Sequence, residues 1–278
     1  MDIAESKYID KKTYRSKYVA AGKPAAGGQE GQLSPIHEDL LKFIPFLTRR
    51  CGLEFRGRIL EIGAGIAWLS AELSRLPRVV EVIATDFAPG VLKDEAPKVF
   101  QSLKANPAKI TRTPGDFHQL DFPDNYFDFV VCSAALHQAV NMVQVLREVK
   151  RVLKPGGHFV AIREPVWPLA KLTKRQRAAL VQGEATQAYT LGHYQELFRQ
   201  ASLPMIVKRV NLSSGFKYYV NKVVNRMTSA RYAFIGRKRG FSSTTRNVRD
   251  TLLNHLDRWN STAARTAASS KSRVPRKN

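Results

Sequence analysis

Residues 58–65 of the chain read Arg-Ile-Leu-Glu-Ile-Gly-Ala-Gly. The apolar residues predict a short buried strand that runs directly into a tight turn. Gly63 and Gly65 let the backbone bend sharply there and leave room for a ligand against the main chain. The apolar pattern over 66–76 then predicts a helix. A dinucleotide-binding loop would carry a third glycine where this chain has Trp68. The loop therefore indicates a nucleotide-like ligand other than NAD or FAD.

The next two strand-like segments each end at residues that suit parts of a nucleoside. The segment 79–85 ends at Asp86, 23 residues after the first glycine of the loop. A carboxylate at that distance can accept two hydrogen bonds from a ribose diol. The segment 110–115 ends at Asp116 and Phe117, an acid and an aromatic ring that suit an adenine.

Two more strands and a helix complete the pattern. A strand over 127–132 leads to the run Ser-Ala-Ala-Leu-His at 133–137. A helix over 142–153 follows, and Lys154-Pro155-Gly156-Gly157 is expected to stop it, because proline and glycine end helices and allow turns. A fifth strand is then predicted over 158–163.

In order and spacing, these segments resemble the motifs of the class I S-adenosylmethionine (SAM) methyltransferases. The resemblance covers residues 45–165 closely and continues faintly to 240. A single Gly-x-Gly turn is common in proteins, whereas five motifs in the expected order are specific. The matching runs are Leu60-Glu61-Ile62-Gly63-Ala64-Gly65, Asp86, Gly115-Asp116, 121–128, 132–137 and 147–157.

The resemblance implies an α/β fold with a Rossmann-like, doubly wound sheet of seven mostly parallel strands. The last strand would be antiparallel, and helices would cover both faces. Strands over 205–212 and 232–237 would form the final hairpin, with the last strand inserted between the fifth and the sixth. The predicted domains are an N-terminal arm over 1–33, a methyltransferase domain over 34–240 and a basic, partly disordered extension over 241–278. Further helices are predicted over 34–50, 171–182, 190–200 and 247–259.

The resemblance also implies SAM as the cofactor. The glycine loop would hold the methionine end, and its glutamate would orient either the loop or the ammonium group. Asp86 would bind the ribose hydroxyls, Asp116 the adenine amine, and the Phe117 amide a ring nitrogen. Ser133 would lie near the methyl donor. Turn capping is the structural alternative for Asp86 and Asp116. The loop residues concerned are Glu61, Gly63, Ala64 and Gly65.

An acceptor oxygen or nitrogen that starts protonated requires a base. His137 is the candidate, because it follows the fourth strand where this fold opens toward substrate, and histidine exchanges protons near neutral pH. A helix-capping or surface role is the alternative. His118 lies nearer the adenine side. Tyr189, His193 and Tyr194 occupy positions that face substrate in small-molecule methyltransferases, although Tyr194 suits the core equally.

Positive charge is concentrated in the second half of the chain. The formal net charge is +22, yet residues 51–165 hold 14 Lys or Arg against 13 Asp or Glu, whereas residues 166–278 hold 22 against 4. This asymmetry predicts an anionic partner: nucleic acid, a phosphorylated or nucleotide-linked substrate, or an acidic membrane surface. A solvated basic surface is the alternative.

Composition sets further expectations. A chain of 278 residues suffices for one sizeable core with attachments. Because there is no apolar run of membrane-spanning length and no signal-peptide core at the start, we expect a cytoplasmic protein with no membrane span. Cys51 and Cys132 make neither a disulfide framework nor a metal cluster, so no metal is expected. The oligomeric state is left open.

Motifs that the sequence lacks restrict the class of acceptor that we expect. The Asp/Asn-Pro-Pro-Tyr signature of enzymes that methylate base amino groups is replaced by the run 132–135. Cys132 does not follow a proline, as the nucleophile of RNA cytosine-C5 enzymes would, and no acid ends the fourth strand, as in ribose 2′-O enzymes. The segments 133–137 and 188–191 look more like those of small-molecule or glycan-pathway methyltransferases. The expected acceptor is therefore an oxygen of an anionic small molecule or glycan.

Two alternatives remain at this point. In the first, the chain would be an RNA-modifying methyltransferase whose basic region over 166–278 contacts phosphates. In the second, it would be a non-catalytic SAM-binding adaptor. The first alternative predicts nucleic-acid binding that falls steeply with added salt. Its phosphate contacts would be Lys174, Arg175, Arg177, Lys217, Lys222, Arg237, Lys238 and Arg239.

Overall fold

The computed structural model describes residues 39–168, 189–213 and 231–240. The predicted N-terminal arm, the helix over 171–182, most of the long connection before the last strand, and the C-terminal extension lie outside the described residues. The predicted domain boundaries therefore stay predictions. Within the described ranges, no helix is both long and apolar enough to cross a membrane.

Strands and helices alternate along most of the described chain, the pattern that produces parallel sheets. The strands are β1 (Gly57–Ile62), β2 (Val79–Asp86), β3 (Ile110–Pro114), β4 (Phe127–Ser133), β5 (Leu153–Ile162), β6 (Met205–Arg209) and β7 (Tyr232–Arg237). The helices are α1 (Phe43–Arg49), α2 (Trp68–Ser74), α3 (Ala96–Ser102), α4 (Met142–Val152) and α5 (Leu191–Gln200), with a π-helical turn at Val91–Glu95 and 3-10 turns at Pro107–Lys109 and Leu136–Gln138.

The strands form one seven-stranded sheet in the order β3-β2-β1-β4-β5-β7-β6. All pairs from β3 to β5 are parallel, whereas β7 is antiparallel to both β5 and β6. This confirms the predicted fold class, including the insertion of the last strand. The order changes direction between β1 and β4, and in such sheets ligands bind in the crevice beyond the carboxyl ends of the strands at this switch.

Both faces of the sheet are covered, because successive side chains of a strand point to opposite sides. Ile59 packs in one apolar cluster with Leu69 of α2. Its neighbour Leu60 packs in a second cluster with Val145 and Val149 of α4. Burial on both faces explains why β1 and β4 are almost continuously apolar.

Helix α5 and the final hairpin follow their predicted bounds closely. Thr190 caps α5, and its side chain accepts a hydrogen bond from the N–H of His193. The last strand has the predicted bounds, whereas β6 ends at Arg209, short of the predicted residue 212. The predicted helix over 34–50 is described in its second part, where α1 buries Ile44 and Leu47.

The start of β5 differs from the prediction that the Pro-Gly-Gly turn precedes the strand. The strand begins at Leu153, which pairs with Phe127 across a register shift. On the other side, the N–H of Gly156 donates to the carbonyl of Lys238 (2.9 Å), and the N–H of Lys238 donates to the carbonyl of Gly157 (3.0 Å). Backbone partners on both sides hold the segment in the sheet, and this pairing overrides the local turn signal.

The guanidinium of Arg151 joins α4 to the loop that precedes β4. It donates to both carboxylate oxygens of Glu148 (2.9 and 2.8 Å) and to the carbonyls of Leu120 (2.6 Å) and Phe122 (2.7 Å). A further bond reaches Asp124 (2.9 Å). Arginine suits this position because its planar fork holds several acceptors at once.

Replacing Arg151 by lysine should therefore destabilise the fold. A lysine cannot reach the carbonyls and both carboxylate oxygens together, so we expect Arg151→Lys to lower the free energy of unfolding by about 2 kcal/mol. Urea denaturation of the purified protein measures this. Arg199→Lys is the matched control, since Arg199 also forks onto a glutamate three residues earlier but is exposed. Equal urea midpoints for the two variants would contradict the assigned role.

Candidate functional site

The glycine loop between β1 and α2 is held by the end of β2. The N–H of Ala64 donates to the carbonyl of Thr85 (2.9 Å), and the N–H of Gly65 donates to Asp86 Oδ2 (2.8 Å). Gly63 and Gly65 both have positive φ angles, +61° and +52°. Other residues rarely adopt this left-handed conformation, so the turn requires glycine at both places.

Three predicted site segments meet at Gly63. A Cβ atom added there would lie 2.5 Å from the Cβ of Ala135 and 3.9 Å from the ring of Phe117. The loops after β1, β3 and β4 are thus in contact at the topological switch of the sheet. A Cβ atom on Gly65, by contrast, would meet nothing within 4 Å. The loop is therefore packed at its first glycine and open at its second.

Glu61 lies under the glycine loop and faces α2. Its Oε2 accepts hydrogen bonds from the N–H (2.8 Å) and the hydroxyl (2.5 Å) of Ser70 in the first turn of the helix. Burial raises the pKa of Glu61 to about 8, an effect that outweighs these two bonds, and the charge of Asp86 acts in the same direction. These contacts hold the first turn of α2, and both roles predicted for Glu61 stay predictions.

Asp86 connects the end of β2 to the loops around it. Its Oδ2 accepts from Gly65 and its Oδ1 accepts from the N–H of Ala88 (2.8 Å). Burial raises the pKa of this carboxyl, although the backbone hydrogen bonds oppose the shift. The turn-capping role that sequence left as an alternative is therefore present. It leaves further oxygen lone pairs for a ligand.

Asp116 forms a local pair with His118. Its Oδ1 accepts hydrogen bonds from the backbone N–H of His118 and from the ring Nδ1, both at 2.8 Å. The other ring nitrogen, Nε2, accepts from the N–H of Asn141 (3.3 Å). Both ring nitrogens of His118 are therefore engaged in hydrogen bonds within the fold. His118 has a structural role, and Phe117 beside it is buried.

His137 is held by a residue that sequence reasoning missed. Its ring Nδ1 lies 2.8 Å from Glu164 Oε2, and its backbone N–H donates to the same oxygen (3.0 Å). The other oxygen of Glu164 accepts from the N–H groups of Ala135 and Leu136, each at 3.0 Å. With Nδ1 bound, Nε2 is the nitrogen that remains to take a proton, and the ring is 16% exposed. The sequence shows only that Glu164 comes two residues after an apolar strand, and this position alone does not reveal its partners, which lie 27 to 29 residues earlier in the chain.

The other residues predicted near substrate have different surroundings. Tyr194 is fully buried and its hydroxyl donates to the carbonyl of Pro165 (3.3 Å), so it belongs to the core. His193 lies 2.6 Å from the hydroxyl of Thr190 through its ring Nδ1. Ser133 ends β4 beside Arg163, whose Nη1 is 3.4 Å from the Ser133 hydroxyl oxygen.

A family model described as a methyltransferase domain matches residues 60–161, which contain the loops that meet at Gly63. The ubiquinone/menaquinone biosynthesis C-methyltransferase UbiE of Geobacter sulfurreducens is 34% identical over 120 residues, which are 43% of this chain and 46% of that protein. Residues 60–161 are thus similar in sequence to methyltransferase domains. The sterol 24-C-methyltransferase erg6 of Aspergillus fumigatus is 28% identical over 130 residues, 46% of this chain and 33% of that protein. The chain spans about half, or less, of the length of these relatives.

Solved structures share the fold. The S-adenosylmethionine dependent methyltransferase of Mesorhizobium loti aligns with a TM-score of 0.52 and 19% identity, over 70% of this chain and 97% of that one. The [4+2]-cyclase SpnF aligns with a TM-score of 0.55 and 17% identity, over 82% and 92%. A methyltransferase and a cyclase both align, so the fold alone does not decide the reaction.

The residues present fit the cofactor of this methyltransferase family. The open space at Gly65 leaves the main chain of the loop accessible, and Asp86 stands directly behind that loop. In this family SAM is the cofactor, and a glycine loop at the end of the first strand suits its close approach to backbone. Among the described residues, no group of three or more His, Cys, Asp or Glu could hold a metal ion.

A methyl group at Gly65 should block SAM without unfolding the protein. We expect Gly65→Ala to weaken SAM binding at least about tenfold, because its Cβ would occupy the open space beside the loop while the left-handed backbone costs only 1–2 kcal/mol. Isothermal titration calorimetry with SAM measures the affinity. Gly52→Ala is the matched control, since Gly52 has a φ of +71° and open space but lies outside the loop. Equal affinities in both variants would contradict the assignment.

Glu61 should make stability depend on pH. Its pKa is raised by folding, so its contribution is complete below the ordinary carboxyl pKa and is lost as pH rises toward about 8. We expect the free energy of unfolding of the wild type, minus that of Glu61→Gln, to decrease between pH 5 and pH 8. Urea denaturation across this range measures the difference, and a flat difference would contradict the raised pKa.

Proposed function

We propose that the protein is a SAM-dependent methyltransferase that acts on a hydroxyl-bearing small molecule, with His137 as the base. The observation that carries the proposal is the pairing of His137 with the buried Glu164, in a loop that contacts the glycine loop through Ala135 and Gly63. A base oriented by a carboxylate, next to a cofactor loop, is an arrangement for removing a proton from an acceptor.

We assign the cofactor to the three loops that meet at Gly63. The backbone of the glycine loop would face the methionine end, and Asp86 would accept from the ribose hydroxyls. Asp116 and Phe117, at the end of β3, would border the adenine. When bound, SAM supplies an activated methyl group for in-line displacement, so the protein has to supply alignment and a proton acceptor.

The assignment of His137 as the base also limits which atom of the acceptor can receive the methyl group. Removal of a hydroxyl proton prepares either that oxygen or a ring carbon made electron-rich beside it. The names of the relatives, a quinone-pathway C-methyltransferase and a sterol C-methyltransferase, favour carbon. They lend no support to the oxygen or glycan acceptor expected from sequence, so we propose a hydroxylated small molecule without a sugar requirement.

Nucleic acid is the weaker alternative for the basic region. Of its proposed phosphate contacts, the described ones are Arg237, Lys238 and Arg239. The ammonium group of Lys238 already donates to Asn125 Oδ1 (2.8 Å) and to the carbonyls of Leu153 (2.7 Å) and Arg151 (3.2 Å). All three of its N–H donors are used within the fold, so Lys238 adds positive charge but no free donor.

The proposal is tested in two steps. Calorimetry should detect SAM binding and no NAD binding in the purified chain. Transfer of a labelled methyl group from SAM is then measured with ring-hydroxylated quinols and sterols. We expect His137→Gln to lower kcat by about 10²–10⁴-fold while SAM affinity is retained, since a general base contributes that much. His193→Gln is the matched histidine control.

The outcomes separate the alternatives. Absence of SAM binding by the wild type would overturn the enzyme assignment, whereas SAM binding with no turnover on any acceptor would favour the adaptor. Equal activity of His137→Gln and His193→Gln would remove His137 as the base.

A further inference from the structure

A second cavity lies at the edge of the sheet opposite to the glycine loop. Its volume is about 610 Å³, a size typical of small-molecule sites. Residues of α4 and α5, the start of β6 and the residues after β7 line it. Strand β7 is antiparallel to β5 and pairs Arg237 with His158, so the end of β7 lies at the start of β5. The cavity is therefore on the amino side of the parallel strands, away from their carboxyl ends and from His137.

The cavity is strongly cationic. Among the described residues that line it there is no Asp or Glu, but there are four cations: Lys150, Arg199, Lys238 and Arg239. One of them, Arg199, is compensated, because its guanidinium forks onto the carboxylate of Glu196 at 2.7 and 2.6 Å. The other three form no ion pair with any acidic side chain that the structure describes. Three uncompensated positive charges thus line one cavity.

These three cations differ in what they can offer to a ligand. The ammonium group of Lys238 is held in place by Asn125 and by two backbone carbonyls where α4 passes into β5. Burial lowers the pKa of Lys238, and the charge of Lys150 lowers it further although Asp124 opposes the shift. In the described part of the chain, the side chains of Lys150 and Arg239 form no hydrogen bond. Their donors therefore stay available.

The remaining lining is apolar or neutral. Pro204 and Met205 are its accessible apolar residues, and the nearly fully buried Phe198 and Leu203 also line the cavity. Ser202 adds a hydroxyl from the left-handed position that follows α5, where its φ is +52°. A cavity with cations and an apolar wall suits an anion that is attached to an apolar body.

We propose that this cavity is a second ligand site, which binds a phosphate monoester carried on an apolar small molecule. Lys150 and Arg239 would donate to the phosphate oxygens, because ammonium and guanidinium groups form charge-assisted hydrogen bonds with phosphate. Lys238 would add a fixed positive charge, and Met205 would contact the apolar body. Several positive charges match a phosphate monoester, which carries nearly two negative charges at neutral pH, better than a carboxylate with one. The site does not depend on the proposed methyl transfer.

The test uses the full chain and phenyl phosphate as the probe, titrated by calorimetry at neutral pH and constant ionic strength. Inorganic phosphate, which lacks the apolar body, and benzoate, which lacks the second charge, are the comparison probes. We expect phenyl phosphate to bind more tightly than either. Lys150→Gln and Arg239→Gln should each weaken its binding at least about tenfold, as the loss of a charge-assisted hydrogen bond predicts.

Two control variants separate a specific contact from general charge. Arg147→Gln removes one positive charge from the exposed side of α4, one turn before Lys150 and outside the cavity lining, and should bind phenyl phosphate like the wild type. Lys150→Arg keeps a cation at the cavity and should bind within about threefold of the wild type. Equal urea midpoints for Lys150→Gln and Lys150→Arg would show that the loss of binding is not a loss of fold.

Several results would overturn the proposal. Phenyl phosphate binding that is undetectable, or that is unchanged in Lys150→Gln and Arg239→Gln, removes the site. An equal loss in Arg147→Gln reduces it to general surface attraction. Benzoate binding as tight as phenyl phosphate replaces the phosphate with a carboxylate, and equally tight inorganic phosphate removes the apolar body. Competition by saturating SAM would place the probe at the cofactor loops instead, since the cavity lies at the other edge of the sheet.

Discussion

The site depends on one buried carboxylate, that of Glu164, which accepts hydrogen bonds from three successive backbone N–H groups after β4. These N–H groups lie at the start of a 3-10 turn. Without Glu164 they would be buried without partners, at a cost of about 1–3 kcal/mol each. The same carboxylate holds the ring of His137. Because Ala135 in this loop packs against Gly63, the position of Glu164 also sets the distance between the proposed base and the cofactor loop.

Two other carboxylates likewise accept hydrogen bonds from backbone N–H groups, in the segments that follow β1 and β2. Where parallel strands end, the chain leaves the sheet ladder and its N–H groups need new acceptors. Glu61 provides one for the start of α2, and Asp86 provides them for the glycine loop and for Ala88. The loop after β1 is thus tied to Asp86 at the end of β2, and the loop after β4 is tied to Glu164, which follows β5.

Local patterns in the sequence predict much of this structure. Apolar runs and glycines place β1, β2 and β4, and the bounds of β7 are as predicted, because these signals act over a few residues. Glu164 could not be found in this way, since its partners lie 27 to 29 residues earlier in the chain. The early start of β5 depends likewise on pairing with Phe127 and Lys238, distant residues whose contacts override a local turn signal.

The end of β5 shows how one local distortion serves two purposes. In an extended strand, consecutive side chains point to opposite faces. The left-handed backbone at Arg163 interrupts this alternation immediately before Glu164. Arg163 then reaches Ser133, while Glu164 turns beneath the loop that carries His137. Arg163, which contacts the end of β4, and Glu164, which holds the ring of His137, are therefore adjacent in sequence although they serve different parts of the same edge of the sheet.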